Sequence, residues 1–200
     1  MISKQKHDAF ERATLATAIV GVIILCIYTG LTGCQANIAR DTAQRQLRAY
    51  ISVAVEKHPD LNESGPPNVV LLFKNTGQTP AFKVEVRSVG SILAGSDIAL
   101  TEAELKIIHA ALDRLKKYES VIFPGQEFRQ SPEPGTGIPM NNEQKIAVSM
   151  GAMTLWINGE VTYTDAFGFP RFTRFRLFIN GASGNRYNKL LWAGAGNDAN

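Results

Sequence analysis

Cysteine and histidine are scarce in this chain. Its 200 residues include two cysteines and three histidines. The histidines, His7, His58 and His109, lie far apart without the spacing of metal ligands. Disulfide scaffolds, zinc fingers and iron–sulfur sites all need more of these side chains than the chain offers. We therefore expect no metal site and no bound cofactor.

Sequence motifs of catalysis and of phosphate binding are also missing. The chain has no Gly-x-Ser-x-Gly elbow and no glycine-rich phosphate loop. Asp165 is the most suggestive carboxylate, but no partner acid or base lies near it in the sequence. Aspartate in such a turn typically bonds backbone N–H groups two residues further on. We therefore predict no catalytic residues and no enzymatic activity.

Charge of one sign is not concentrated in the sequence. Lys and Arg total 21 and Asp and Glu total 18, a formal net charge of +3, which is small for a nucleic-acid binder. Residues 165–172 partly resemble an RNA-recognition strand. However, Asp165 replaces the basic residue of that motif, and Pro170 lacks the N–H that a central strand needs. We expect no nucleic-acid partner.

A long uncharged run near the N-terminus is the clearest positive feature. No charged residue occurs between Arg12 and Arg40, and the apolar core of the run, residues 13–33, is 21 residues long. About 20 apolar residues in a helix cross the ~30 Å hydrocarbon layer of a membrane. The run predicts a short leader over residues 1–12, a transmembrane helix over 13–34 and a helical stem over 35–46. The lipid bilayer is then one partner of the chain.

The basic residues around this run bear on its orientation. Three lie on each side: Lys4, Lys6 and Arg12 before it, and Arg40, Arg45 and Arg48 after it. The count is a tie, but the leader is short and its basic residues lie closer to the apolar edge. We expect a single-pass protein of the bacterial inner membrane, with its N-terminus in the cytoplasm and its C-terminal domain in the periplasm.

A cleaved or lipidated N-terminus is the alternative to a stable anchor. The segment Leu31-Thr-Gly-Cys34 has the form of a bacterial lipobox, in which the cysteine is acylated after cleavage. Cys34 is therefore a candidate lipidation site. The mixed charge of the leader, the length of the apolar run and the helical character of the residues after Cys34 fit this interpretation less well.

Residues 47–180 change from helical to twofold periodicity, which predicts β-strands. The predicted strands lie at 47–55, at 68–74, around Phe82-Val84-Val86, at 121–128 with a turn at Pro124-Gly125, at 155–163 and at 172–179. In the last two, Leu155, Ile157, Val161 and Tyr163, and then Thr173, Phe175, Leu177 and Ile179, share one face. On this pattern Val161→Asp should unfold the domain, whereas Glu160→Lys should be nearly silent.

Two helices and a tail complete the predicted elements. Thr101 and Glu104 form a capping box before an amphipathic helix that ends near Tyr118. Asn141 caps a shorter helix that Gly151 ends. Residues 181–200, rich in Gly, Ala and Asn, predict a flexible tail. The fold class is mainly β: an antiparallel immunoglobulin-like sandwich over 47–180, with one inserted amphipathic helix and an N-terminal transmembrane helix.

The order of these segments resembles a group of uncharacterised single-pass bacterial membrane proteins with a C-terminal immunoglobulin-like domain. The resemblance is carried by Gln46-Leu-Arg-Ala-Tyr50, Phe73-Lys-Asn-Thr-Gly-Gln-Thr-Pro-Ala81, Pro124-Gly125, Gly159-Glu-Val-Thr-Tyr-Thr-Asp-Ala-Phe-Gly168 and Thr173-Arg-Phe175. It implies the architecture and no activity. The helix near residues 101–117 is an insertion relative to that pattern.

One face of the last strand is the candidate partner surface. Phe172, Arg174, Arg176 and Phe178 share the face opposite to the predicted core. Guanidinium groups beside aromatic rings bind carboxylates, lipid headgroups or protein partners, although the same pattern also suits an ordinary exposed sheet face. The leading hypothesis is a non-enzymatic membrane-anchored module with a protein-interaction or structural role in the envelope. The alternatives are a periplasmic lipoprotein held by Cys34, and an enzyme or small-ligand binder that uses the 165–176 hairpin.

Overall fold

A computed structural model of the chain describes residues 2–61, 68–95, 100–116, 118–135, 138, 140–181 and 189–200. Near the N-terminus it describes side chains at residue 15 and from residue 17 onward. The chain divides into two compact units, Met1–Gln46 and Leu47–Asn200, which we describe separately.

The first unit is a single helix, α1 (Ile2–Leu47). Its segment Thr17–Leu47 is long and apolar enough to cross a membrane, with a mean hydropathy of 2.0 over its most apolar 18 residues, none of them buried. The hydroxyl groups of Thr29 and Thr32 donate to the carbonyls one turn earlier, each at 2.8 Å. Both threonine hydroxyl groups are therefore hydrogen-bonded within the apolar helix.

The second unit contains two sheets. The smaller sheet has the antiparallel order β1-β2-β5. These strands are β1 (Ile51–Lys57), β2 (Val70–Asn75) and β5 (Glu127–Gln130). The larger sheet is formed by β3 (Ala81–Ala94), β4 (Ser120–Ile122), β7 (Met153–Thr164), β8 (Pro170–Ile179) and β10 (Asp198–Ala199). Its antiparallel order is β10-β8-β7-β3-β4. Two short strands join it, β6 (Glu133–Pro134) parallel to β3 and β9 (Leu191–Trp192) antiparallel to β8.

Both sheets contribute to one apolar core. The apolar residues predicted to face inward from β7 and β8 lie in the same buried cluster as Ile51, Leu71 and Phe73 of the smaller sheet. Phe73 stacks on Phe128 at 5.0 Å between ring centroids and meets Phe175 of the larger sheet edge-on at 5.8 Å. Burial of each such ring stabilises the fold by about 1.5–3 kcal/mol. The predicted phase of β7 and β8 is confirmed, including continuity through Asn158-Gly159.

The start of β3 differs from its predicted phase. The alternation of Phe82, Val84 and Val86 with charged residues predicts that Phe82 faces inward with Val84. Phe82 is however 40% exposed, whereas Ala81 and Val84 are both buried. Lys83 has a φ of +49°, and the pairing of β3 with both neighbours shifts register here. A bulge of this kind inserts one extra residue and exchanges the two faces of the strand before it.

The strand predicted over 121–128 is in fact two strands in different sheets. β4 ends at Ile122 in the larger sheet, and β5 begins at Glu127 in the smaller one. The turn between them uses Gly125 at a φ of +75°, a conformation that glycine adopts without steric cost. Pro124-Gly125 thus transfers the chain from one sheet to the other.

The predicted Thr101–Glu104 capping box and the predicted cap at Asn141 are both confirmed. Helix α2 (Glu102–Asp113) begins at the Thr101–Glu104 box and packs against β3, with Ile108 buried. Helix α3 (Asn142–Ser149) begins at the Asn141–Gln144 box and packs against β7. Gly151, at a φ of +82°, follows α3 as predicted.

The C-terminal segment is ordered on the sheet, in contrast to the flexible tail that its composition predicts. In residues 189–200, β9 and β10 both pair with β8, and Leu190 and Ala193 are buried. The rest of the expected tail, residues 182–188, lies outside the described residues. Residues 189–200 pair with the sheet because β8 would otherwise present a long unpaired edge. Short strands cover such an edge even when their composition is poor in strand-forming residues.

Candidate functional site

The outer face of the larger sheet carries a row of charged side chains across three strands. The strand register places Arg87 of β3 opposite Glu160 of β7, and Glu160 opposite Arg174 of β8. Directly opposed side chains on one face of a sheet lie within contact distance. The row therefore brings one carboxylate between two guanidinium groups.

Glu160 bonds both arginines, with one oxygen for each. Arg87 Nη2 donates to Oε2 and Arg174 Nε donates to Oε1, each at 2.8 Å. Arg87 also donates through Nη1 to Oδ1 of Asp113, at 3.3 Å, in the last residue of α2. A carboxylate at the C-terminal end of a helix is disfavoured by the helix dipole. Its ion pair with Arg87 offsets that effect and connects α2 to the sheet.

The next row of the same face contains Asn158 and Arg176, which the register also places opposite each other. Arg176 Nε donates to the Oδ1 atom of Asn158 at 3.0 Å. Because arginine has no hydrogen-bond acceptor, Asn158 must turn its oxygen toward Arg176 and its NH₂ group away. That Nδ2 atom is buried and has no hydrogen-bond partner among the described residues.

The C-terminal segment fixes Arg176 from the other side. The backbone N–H of Arg176 donates to Oδ1 of Asn197 at 2.8 Å, and Gly196 lies against the guanidinium group. A Cβ atom at Gly196 would be 2.5 Å from Cζ of Arg176, and the φ of +86° at Gly196 is one that glycine adopts without steric cost. Burial lowers the pKa of Arg176 from its usual value.

These side chains line a cavity of about 480 Å³ between α2 and the outer face of the larger sheet. Asn158 and Arg176 contribute polar groups, and Ile108 and Leu112 of α2 contribute apolar surface. Small-molecule sites typically occupy about 300–1,000 Å³ and combine apolar walls with a few polar groups. The arrangement therefore has the size and composition of a ligand site.

The predicted partner surface does not form one exposed patch. Phe178 is 4% exposed and packs against Trp156 at 5.4 Å between ring centroids, in a second cluster with Ala193. Arg174 is 56% exposed and lies over the ring of Phe172 at 4.6 Å. Arg174 and Arg176 both line the cavity. The C-terminal segment and α2 cover part of this face, and neither element could be placed there from sequence periodicity.

Asp165 has the turn-capping role predicted for it. Its Oδ1 atom accepts the backbone N–H groups of Phe167 and Phe169, each at 3.0 Å. Its Oδ2 atom accepts the Nε hydrogen of Arg171 at 2.8 Å. Both oxygens of this fully buried side chain are therefore engaged within the hairpin between β7 and β8.

The other candidate residues from the sequence are Cys34, His58 and His109. Cys34 is exposed on α1. His58 accepts the backbone N–H of Leu190 through Nδ1 at 2.9 Å. His109 is exposed on α2 at the rim of the cavity. Among the described residues there is no group of three or more His, Cys, Asp or Glu side chains that could hold a metal ion.

Comparisons with known proteins identify the family. The family model described as Domain of unknown function (DUF8453) matches residues 10–182. The chain belongs to the DUF8453 family. No curated protein matches this DUF8453 chain. A crystal structure of a Bordetella pertussis protein named ApaA is similar over 66% of this chain and 94% of its own, at 12% identity and a TM-score of 0.31. A score that low carries no argument about fold or function.

Proposed function

We propose that this DUF8453 chain is a non-enzymatic, membrane-anchored binding module of the bacterial envelope. In this proposal α1 spans the inner membrane once, the N-terminus is cytoplasmic, and residues 47–200 form a periplasmic immunoglobulin-like domain. The domain binds a partner or ligand on the outer face of its larger sheet.

The exposed apolar surface of Thr17–Leu47 is the observation that supports the anchor. Large side chains such as Leu25, Ile27 and Leu31 are all more than half exposed, and this apolar stretch is long enough for a bilayer. A soluble helix of this length would keep a polar face, and a contiguous apolar surface of this extent needs a lipid or protein cover. A bilayer supplies that cover along the whole length of the segment.

The shape of the second unit supports a binding role. Its two antiparallel sheets share one core, as the sheets of an immunoglobulin-like sandwich do. Two further contacts join the sheets: Thr173 Oγ1 donates to the carbonyl of Ile51 at 3.0 Å, and the hydroxyl of Tyr163 donates to the carbonyl of Ala49 at 3.2 Å. A domain whose sheets are joined in this way holds the side chains of its outer face in fixed positions, which suits a binding role.

Two experiments test the anchor and its orientation. We expect the full chain to remain in the membrane pellet after alkaline carbonate extraction. A C-terminal alkaline phosphatase fusion should be active, and a C-terminal green fluorescent protein fusion exported by the general secretory pathway should be dark. Recovery of the chain in the supernatant would exclude the anchor. The reverse pattern of reporter activity would place the domain in the cytoplasm.

The second candidate is a periplasmic lipoprotein anchored through Cys34. The observation that favours it is the exposed cysteine at the end of Leu31-Thr-Gly-Cys34. Metabolic labelling with an alkyne fatty acid separates the two anchors. Label on the wild-type chain that disappears in Cys34→Ala would support the lipoprotein. Absence of label, with retention in the membrane, would support the transmembrane helix.

A further inference from the structure

In the cavity under α2, one cation and one amide donor have hydrogen-bonding groups that no described residue satisfies. Arg176 bonds Asn158 through Nε, and its terminal nitrogens have no acceptor among the described residues. Asn158 is 4% exposed, and its Nδ2 atom has no partner there either. We infer that this cavity binds the carboxylate group of a small organic molecule, held by the terminal nitrogens of Arg176 and the amide NH₂ of Asn158. The inference specifies the ligand chemistry of the proposed binding role and rests on that role.

The charges around the cavity leave Arg176 as the uncompensated cation. Glu160 is bonded by Arg87 and Arg174, and Asp113 is bonded by Arg87. Among the described residues, the side chain of Arg176 makes its hydrogen bond to the neutral amide of Asn158 and forms no ion pair. Burial removes part of the hydration of this cation, which also accounts for its lowered pKa. An anionic ligand group in the cavity supplies a counter-charge to Arg176.

The unsatisfied amide points to a hydrogen-bond acceptor as the ligand. An amide NH₂ donates two hydrogens and accepts none, so only an acceptor satisfies it. A buried donor without a partner is costly to the fold, and a ligand acceptor removes that cost. A carboxylate has two acceptor oxygens and can accept from a guanidinium and an amide at once. The two unused groups therefore require the same kind of ligand atom.

The other lining residues favour a carboxylate over a phosphate. Glu160 and Asp113 also line the cavity, and their negative charges repel a dianion more strongly than a monoanion. Ile108 and Leu112 offer apolar surface, which matches an organic body attached to the carboxylate. A small carboxylic acid with an apolar part fits both features.

Phenylacetate is the probe for the test, because it joins one carboxylate to one apolar ring. The full chain in maltoside micelles is titrated by calorimetry and by NMR of the Asn158 side-chain amide. We expect phenylacetate to bind and to shift that amide resonance. The neutral isostere phenylacetamide should bind at least about tenfold more weakly, because it lacks the charge that Arg176 compensates. Inorganic phosphate should not compete at equal concentration.

Substitutions locate the binding in the cavity. Asn158→Asp places a carboxylate beside Arg176 within the protein, and we expect it to reduce phenylacetate binding at least about tenfold. Arg176→Met should have the same effect, whereas Arg129→Met removes an arginine from the smaller sheet and should leave binding unchanged. Circular dichroism confirms that each variant is folded, and a variant that unfolds is replaced by Gly196→Ala, whose new Cβ displaces the guanidinium.

Three outcomes would overturn the inference. They are absence of phenylacetate binding to the wild type, unchanged binding in folded Asn158→Asp, and stronger binding of phosphate than of phenylacetate. The failure of the proposed anchor is measured separately by carbonate extraction. A chain that binds phenylacetate but leaves the membrane pellet would contradict the anchor alone.

Discussion

Asp165 and Arg171 form a 2.8 Å ion pair inside the hairpin that joins β7 and β8. The carboxylate is fully buried, whereas the arginine side chain is partly exposed. Arg171 also lies over the ring of Phe169, at 5.5 Å from the ring centroid. The same aspartate holds the turn through two backbone N–H groups. This one side chain therefore helps to fix the register of β7 and β8, two of the strands that carry the candidate site.

The first prediction follows from that pair. Asp165→Ala removes the acceptor of two partly buried backbone N–H groups and of the Arg171 guanidinium, and should lower the free energy of unfolding by about 2–4 kcal/mol. Asp165→Asn retains one acceptor oxygen and should lose less. The control is Glu127→Ala, because Glu127 is exposed and its two ion pairs are long, at 3.6 and 3.9 Å. Denaturant unfolding measures all three variants, and an equal loss for Asp165→Ala and Glu127→Ala would contradict the prediction.

The second prediction concerns Gly159 in the centre of β7. A Cβ atom there would lie 2.7 Å from the carbonyl oxygen of Arg87 and would also overlap the ring of Phe175. Neither group can move freely, because one is backbone in a paired strand and the other is a buried ring. Gly159→Ala should therefore cost about 1–3 kcal/mol in unfolding free energy.

Gly194 provides the matched control for Gly159. A Cβ atom added at Gly194 would meet no other atom within 4 Å, so Gly194→Ala should change the unfolding free energy by less than about 0.5 kcal/mol. Thermal unfolding of both variants gives the comparison. If the two substitutions have similar effects, the close approach of Phe175 to β7 is not present in solution.

The faces of the long strands could be predicted from sequence because burial imposes a period of two on every residue of a strand. Capping boxes could be predicted because both bonds lie within four residues of each other. Longer-range contacts leave no such pattern. Asn75 directly follows the strand predicted at 68–74, and nothing in the pattern marks it, yet it is buried. Its amide group bonds Tyr50, Gly77, Thr79 and Ile122.

Only part of the candidate site could be predicted from the sequence, because its contacts also join residues that are far apart in the chain. Arg174 and Arg176 follow from the alternation of β8. Their partners Glu160 and Asn158 lie on a neighbouring strand, and only the register brings them opposite each other. The cover supplied by α2 and by residues 189–200 depends on tertiary packing. The residues predicted as one surface therefore differ in their surroundings, because Arg174 and Arg176 line the cavity whereas Phe178 is a buried ring.

The third prediction reverses an expectation drawn from that alternation. Periodicity alone predicts that Glu160→Lys changes the free energy of unfolding very little, because the residue faces away from the core. In the structure the side chain of Glu160 is 18% exposed and lies between Arg87 and Arg174. A lysine would place a third cation beside the two arginines, with Asp113 as the remaining carboxylate of the network. We therefore expect the free energy of unfolding to fall by about 2 kcal/mol or more. Glu119→Lys, at an exposed residue just before β4, is the control, and equal unfolding free energies for the two variants would contradict the network.

The fourth prediction is a pH dependence at the C-terminal segment. His58 accepts the N–H of Leu190 through Nδ1, which only the neutral imidazole can do. Burial, and secondarily the charge of Lys189, lower the pKa of His58 below its usual 6.5. A lowered pKa means that the unfolded chain binds the proton more readily. The stability that neutral His58 contributes is therefore complete above about pH 6.5. It is lost as the pH falls through the pKa of His58 in the folded chain. Hydrogen exchange at the Leu190 amide should accelerate in that range beyond its intrinsic rate, and His58→Phe should abolish this pH dependence. An unchanged dependence in that variant would assign it to another group.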